Sequence, residues 1–225
     1  MNIVITGSAS GLGAALMESL VGAGHNCVGY DLQDGRDVRC SEHAEQFFKD
    51  FPTTDVLINN AGVNGLDWLS SLTEERWDTI MDTNAKGIYV MSRAAVPYLK
   101  QRKGAIINIV SNAAHVPMRA SLAYNASKGA AHIMTLQLAR ELAPDITVLG
   151  IAPNRLAETE MTDFIDSECS RVRGWSLEEA LTYERKTSLV GERTPPHLIA
   201  ALVAHLLQSK EHHEYLTGCI LPYGA

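Results

Sequence analysis

Strand-length apolar runs alternate with helical segments along this chain: "NIVIT" at 2–6, "NCVGY" at 26–30, "DVLIN" at 55–59, "AIINIVS" at 105–111, "ITVLGIA" at 146–152 and a last short run, "GCILP", at 218–222. Parallel strands cannot be joined by a tight turn; each pair needs a crossover, and the intervening helical segments supply it. The alternation therefore predicts an α/β fold, a doubly wound parallel sheet flanked by helices on both faces. A first helix is expected from Gly11, closing at 22–24. At 73–104, Thr73 is a candidate N-cap, acidic residues follow it, and basic residues precede Gly104, the charge order that complements the helix dipole. That segment is long enough for two abutting helices, or for one with an irregularity near Asn84. A third helix is expected over 121–142, stopped before Pro144, and 195–210 returns to helical period. Between about 152 and 196 periodicity weakens, which predicts a loop-rich excursion with short helices inside a single domain spanning 1–225.

"ITGSASGLGAAL" places Gly7, Gly11 and Gly13 between the first strand and the first helix. Without side chains the backbone can turn tightly there and approach a pyrophosphate at the helix N-terminus. A purely structural strand-to-helix turn is the alternative. Position makes the loop Rossmann-like, and the second strand ends at Asp31, about 20 residues further on, where a carboxylate can bond the adenosine ribose.

In "AYNASKGAAHIM", Tyr124 and Lys128 stand four apart and share a helix face, where an ammonium can bias a phenol toward ionisation. Tyr89 with Arg93 and Tyr98 with Arg102 repeat the spacing and read as surface pairs. Context separates them. Thr6-Gly7-Ser8-Ala9-Ser10-Gly11-Leu12-Gly13 resembles the cofactor motif of the short-chain dehydrogenase/reductase family, and Asn59-Asn60-Ala61-Gly62 resembles the NNAG that follows its fourth strand. Asn84, Ser111, Tyr124 and Lys128 fall where that family carries its catalytic tetrad, with Ser111 thirteen residues before Tyr124. The resemblance runs from Met1 to about Pro153 and resumes more loosely from Gly191 to Gly218. It implies an NAD(P)-dependent enzyme moving a hydride between nicotinamide and a small secondary alcohol or ketone. Tyr124 would be the acid/base, Ser111 would bond the substrate oxygen, Lys128 would hold the ribose and lower the phenol pKa, and Asn84 would place a water in a proton relay. It further implies cofactor contacts from Gly7, Ser10, Gly11, Leu12, Gly13, Asn60, Ala61, Gly62 and Pro153, and an Asp37-Val38 pair against the adenine. The helices over 73–103 and 121–142 would form a dimer contact, so a homodimer or homotetramer is expected. Taken singly, Ser111 reads equally as a strand-end cap and Asn84 as a helix irregularity.

Two departures from the family pattern stand out. Pro153-Asn154 replaces the usual Pro-Gly, a turn that asparagine can take in the left-handed conformation, and Thr159 sits one residue later than the threonine that contacts the carboxamide. The chain also lacks the common C-terminal DGG. Asn112, His115, Met118, Arg119, Arg171, Arg173, Trp175 and Tyr183 are expected to border the substrate pocket, with the arginines as solvated loop charges or, in the alternative, as partners of a substrate carboxylate or phosphate; His205, His212 and His213 read as surface residues. NAD is expected over NADP, because Asp31 would repel a 2′-phosphate and Arg36, in the turn-like "QDGRD", is the one cation near it.

Composition narrows the partners. A net charge of -7 without a basic stripe argues against nucleic acid, and no run reaches the ~20 apolar residues of a membrane span. Four cysteines without metal-ligand spacing predict free thiols, no metal site and a cytoplasmic setting. A non-catalytic dinucleotide sensor on the same fold is the alternative function. An epimerase of the extended group would need a larger C-terminal domain.

Overall fold

Alternate residues of the first strand face opposite sides of the sheet, and each side recruits its own helices. The structure is a computed structural model and describes residues 1–208 and 214–224, apart from the side chains of Arg185 and Thr187. Six strands, β1 (Asn2–Thr6), β2 (Asn26–Tyr30), β3 (Val56–Asn59), β4 (Ala105–Ile109), β5 (Thr147–Pro153) and β6 (Ile220–Tyr223), form one parallel sheet in the order β2-β1-β3-β4-β5-β6. Ile3 and Ile5 point to one face, where they pack with Ile58, Ile107 and Ile151 against α1 (Gly11–Gly22) and α8 (Pro196–Gln208). Val4, Leu57, Ile106 and Val148 point to the other face, under α2 (Ser41–Asp50), α4 (Gly87–Arg102) and α5 (Leu122–Leu142). Burial on both faces explains why these strands are apolar throughout rather than alternating.

Thr73 caps α3 (Glu74–Met81) by accepting from the Arg76 amide at 3.2 Å, as its position predicts. The irregularity expected near Asn84 is a π-helical turn, Asp82–Lys86, between α3 and α4. Between β5 and α8 the chain is more helical than expected, with α6 (Glu160–Glu168), a π turn at Cys169–Arg173 and α7 (Leu177–Thr187). These helices close over their own small core of Leu66, Ile165, Cys169 and Ala180, separate from the sheet. Tyr98, expected at the surface, instead stacks on Phe48 of α2 with ring centroids 6.3 Å apart. Tyr89 is exposed as expected.

His205 is exposed; His212 and His213, and the helix tail expected at 209–210, lie outside the described residues. All four cysteines are free. Among the described residues no helix is long and apolar enough to cross a membrane.

A buried polar chain ties the sheet to α5. Asn59 Nδ2 donates to Asn108 Oδ1 at 2.9 Å, and Asn108 Nδ2 donates to Thr135 Oγ1 at 2.9 Å. Apolar packing fixes α5 only by shape, whereas these bonds fix its register along β3 and β4. Tyr124 and Lys128 lie on the same helix, so their placement follows from this register.

Candidate active site

The chain leaves β1 for β2 on one side and returns to β3 on the other, so the carboxyl ends of β1 and β3 open a crevice at the switch point. Gly7 and Gly11 take left-handed φ angles of 63° and 51° there. A Cβ on Gly7 would stand 2.8 Å from the Ala61 Cα. The loop is stitched to the segment after β3: Thr6 Oγ1 accepts the Asn60 and Ala61 amides at 3.0 and 2.9 Å, and Asn60 Nδ2 donates to the Thr6 and Gly7 carbonyls. Gly13 corrects an expectation. It does not line the crevice; a Cβ there would meet the Gly7 carbonyl oxygen at 1.8 Å, so this glycine lets α1 close against the loop.

From this loop a cavity of about 830 Å³ runs along the strand ends to α7. Its walls at one end hold Gly7, Ser10, Gly11, Leu12, Asp31, Asp37 and Val38, followed by Asn60, Ala61 and Gly62. Asp31 is held by backbone while keeping acceptor capacity: Oδ2 accepts the Ala9 amide at 2.9 Å and Oδ1 the Gln33 amide at 3.0 Å. Both cations nearby are committed. Arg36 turns its guanidinium to the Gly29 carbonyl at 2.8 Å and over the Phe47 ring, and Arg39, which sequence reading passed over, is clamped on Asp37 at 2.6 Å. A glycine-rich loop of small side chains at a helix N-terminus, with a fixed carboxylate beyond it, fits a dinucleotide.

At the other end lie Ser111, Tyr124, Lys128 and Pro153, while Thr159 lines the wall beside Gly11. Ser111 takes the cap role considered for it: its Oγ accepts the Ala113 amide at 3.1 Å, capping a short turn, and Ser111 and Tyr124 line the same cavity. Lys128 is buried and donates from Nζ to the Ile109 carbonyl at 3.0 Å, with burial lowering its pKa to about 8. Burial pushes the Tyr124 phenol above the ordinary tyrosine value, against the opposing pull of the Ser111 hydrogen bond and of the Arg155 charge. Lys128 Nζ also stands over the Tyr124 ring, 5.9 Å from its centroid, so its charge lies beside the phenol.

Asn84 stays behind the wall. In the π turn its Oδ1 accepts the Val63 amide at 2.8 Å, and its Nδ2 donates to the Val63 carbonyl and to Ser127 Oγ at 2.8 and 2.9 Å. Thr159 is the N-cap of α6, accepting the Thr162 amide at 3.1 Å, and its methyl stands opposite Gly11.

Of the expected pocket residues, Asn112, Met118, Arg173, Trp175 and Tyr183 line the cavity, whereas His115, Arg119 and Arg171 do not. Arg171 is exposed, as expected of a solvated charge, while pairing with Glu168 at 2.5 Å; Arg173 is half-buried and donates to the Arg119 carbonyl at 2.6 Å. Asn154 does not adopt the left-handed conformation expected of a glycine substitute. Its side chain bridges instead, accepting Asn112 Nδ2 at 2.7 Å and donating to the Gly224 carbonyl at 3.0 Å. Sequence reading missed the charged group beside it. Arg155 bonds Asp166 at 2.5 Å and also pairs with Glu184; Arg193 holds the same two carboxylates at 2.9 and 2.8 Å.

A trough that starts at a glycine loop and ends on a half-buried phenol suits an oxidoreductase working with a nicotinamide dinucleotide. Comparison with known proteins agrees: the short chain dehydrogenase profile matches residues 35–170. The diacetyl reductase [(S)-acetoin forming] of Staphylococcus epidermidis is 31% identical, over 96% of this chain and 93% of its own. The NADP-dependent 3-hydroxy acid dehydrogenase YdfG of Salmonella typhi is 29% identical, over 92% and 91%. Among solved structures, the aldohexose dehydrogenase of Thermoplasma acidophilum superposes with a TM-score of 0.86 at 25% identity, over 98% of this chain and 91% of that one. The chain belongs to the short-chain dehydrogenase family and is an NAD(P)-dependent oxidoreductase acting on CH-OH groups.

Proposed function

We propose that this protein interconverts a small secondary alcohol and its ketone with NAD, using Tyr124 as the acid/base. The observation that carries the reading is the meeting of Tyr124, Ser111 and Lys128 in the cavity that begins at the glycine loop, with Lys128 Nζ 5.9 Å from the Tyr124 ring centroid. When bound, the nicotinamide takes up or gives the hydride. In alcohol oxidation the Tyr124 phenolate receives the hydroxyl proton, and in ketone reduction the phenol returns it to the new alkoxide oxygen. Ser111 orients that oxygen. Lys128, buried beside the strand end, holds the ribose side of the cofactor, and Asn84 shapes the wall behind it through Val63 and Ser127. An absorbance screen at 340 nm over alcohols and ketones tests the reading; NAD binding without turnover on any of them would favour a dinucleotide sensor.

Cofactor choice follows from Asp31. Its carboxylate is pinned by two amides at the end of β2, and the cations Arg36 and Arg39 are held by the Gly29 carbonyl and by Asp37, so a 2′-phosphate meets a fixed negative charge with no free partner among these residues. NAD should exceed NADP at least tenfold in kcat/KM, about 1.4 kcal/mol. Asp31→Ala should narrow or reverse that ratio, and it should also weaken NAD itself because the Ala9 and Gln33 amides lose their acceptor. Equal use of both cofactors by the unaltered protein would refute the placement of Asp31 at the ribose.

We also infer a homodimer or homotetramer built on α4 and α5, where Tyr89 and Ile133 are exposed at 51% and 60%. Light scattering at micromolar concentration should give a multiple of 24.5 kDa; the monomer mass would rule it out. Strands from Asn2 to Tyr223 share one sheet, which supports reading 1–225 as one unit, and four unpaired thiols suit a reducing compartment such as the cytoplasm.

A further inference from the structure

Arg155, Arg173 and Arg193 line the part of the cavity that runs to α7, and two of them are neutralised. Arg155 and Arg193 share Asp166 and Glu184 in a closed ring, each guanidinium bonded to both carboxylates. Arg173, the last residue of the π turn after α6, is different. It is half-buried, and every bond it makes goes to an uncharged acceptor: Nε and Nη2 donate to the Arg119 carbonyl at 3.0 and 2.6 Å, Nη2 reaches Ser121 Oγ at 3.4 Å, and Nη1 reaches Cys169 Sγ at 3.6 Å. These bonds use four of the five N–H donors of a guanidinium and leave one on Nη1. Among the described residues no carboxylate pairs with it. The position is held against backbone strain. Ala120, between the two residues that accept from Arg173, is buried at φ 55°, a left-handed conformation that side chains disfavour, and such outliers mark clamps more often than chance folds. On its other side, Arg173 Cζ stands 5.1 Å from the Trp175 ring centroid, and Trp175 packs on Tyr183 with centroids 5.1 Å apart.

We propose that Arg173 receives a carboxylate of the substrate, so that the alcohol oxidised at Tyr124 is a short-chain hydroxy acid and the ketone is the matching keto acid. The inference rests on the proposed reaction at Tyr124 and names its substrate class. Ser121, which Arg173 reaches, is the N-cap of α5 and stands three residues before Tyr124, so the guanidinium meets that helix one turn from the acid/base. A half-buried cation without a counter-charge gains most from an anion that arrives with the ligand, because charge-assisted hydrogen bonds strengthen where water is scarce. The ring is unsuited to this part: its two cations already hold two carboxylates, and the four charges sum to zero. Met118, Leu156, Trp175 and Leu181 also line the cavity and suit the aliphatic carbons of such a substrate. Glu160 and Glu192 face the cavity from exposed positions, where water and salt screen their repulsion of an anion. One uncompensated positive charge matches a carboxylate better than a dianionic phosphate.

The test is a panel of straight-chain hydroxy acids from lactate upward, each beside its own amide, oxidised with NAD. For the best acid, kcat/KM should exceed that of its amide by about tenfold or more, with most of the difference in KM. Arg173→Gln should raise KM for that acid by about tenfold or more and leave KM for the amide within about threefold. Arg173→Lys, which keeps the charge and loses the fork, should fall between the two. A purely structural strap would affect acid and amide alike. Equal use of acid and amide by the unaltered protein, an equal loss on both in Arg173→Gln, or a phosphorylated alcohol preferred to every acid overturns the inference. Should Arg173→Gln not fold, calorimetry on the unaltered, NAD-saturated protein decides: butyrate should bind about tenfold or more tightly than butyramide, and equal affinities overturn the inference. That titration needs no turnover, so it also separates the two readings. Substantial turnover in Tyr124→Phe overturns the acid/base assignment, while the preference for butyrate still judges Arg173.

Discussion

Tyr124→Phe is expected to lower kcat by about 100-fold or more while leaving NAD affinity within about threefold of the unaltered protein. The substitution removes one oxygen and keeps the ring. What is lost is the proton donor and acceptor, whereas the glycine loop and Asp31, at the other end of the cavity, are untouched. A loss of that size is about 2.7 kcal/mol of transition-state stabilisation, in the range measured for a positioned general acid or base. Retention of more than a tenth of kcat would sink the assignment. The pH dependence has a definite sign. Burial holds the phenol above its ordinary value, so at neutral pH it is protonated and ready to donate, and alcohol oxidation should rise with pH on the way to the midpoint. Tyr89→Phe, on an exposed tyrosine with the same spacing to a cation, should change neither kcat nor the profile.

Tyr89 and Tyr124 show what one sequence makes legible. Spacing alone does not separate them; register with Ser111 and the glycine loop does, because motifs on separate elements meet only if the alternating strands form a parallel sheet. That much is encoded locally, in the period of apolar residues and in glycines whose backbone angles no other residue takes as readily. The helix α2 was not legible in the same way. Only Ala44, Phe47 and Phe48 of its ten residues are buried, so its apolar seam is too short to announce itself among Glu42, Glu45, Lys49 and Asp50. Lys128 shows a different limit. Its spacing to Tyr124 is correct, but nothing in that spacing announces that its ammonium also donates to the Ile109 carbonyl, a group on another element. The Arg155 ring is the extreme case: its partners lie 11 and 29 residues away along the chain, and only the fold of α6 and α7 over the cavity brings them together. Asn154 belongs with it. A glycine substitute suggests left-handed backbone, yet the residue serves through its side chain, and nothing local distinguishes those two uses.

Gly13→Ala is expected to cost about 1–3 kcal/mol of stability and to weaken NAD binding by at least tenfold, a larger effect than any other alanine in α1 should produce. The added methyl would lie 1.8 Å from the Gly7 carbonyl oxygen and 2.8 Å from Asn60 Nδ2. Neither neighbour is the free end of a flexible side chain. The Gly7 carbonyl belongs to a turn held at φ 63° and accepts from Asn60 at 3.0 Å, and Asn60 also bonds the Thr6 carbonyl at 2.9 Å. Relief must come from tilting α1 away from the sheet or from displacing the loop. Tilting opens the contact of Leu12, Leu16 and Leu20 with β1 and α8, which costs stability; displacing the loop moves the backbone that faces the pyrophosphate, which costs affinity. Gly22→Ala, at the other end of the same helix, separates this steric mechanism from a mere change in helix propensity. A Cβ at Gly22 meets nothing within 4 Å, and alanine is the better helix former, so that variant should match or slightly exceed the parent in chemical denaturation and bind NAD normally. If Gly13→Ala unfolded at the same denaturant concentration as Gly22→Ala, α1 would not be in contact with the loop, and the close approach that brings a helix N-terminus to the cofactor would have to be given up.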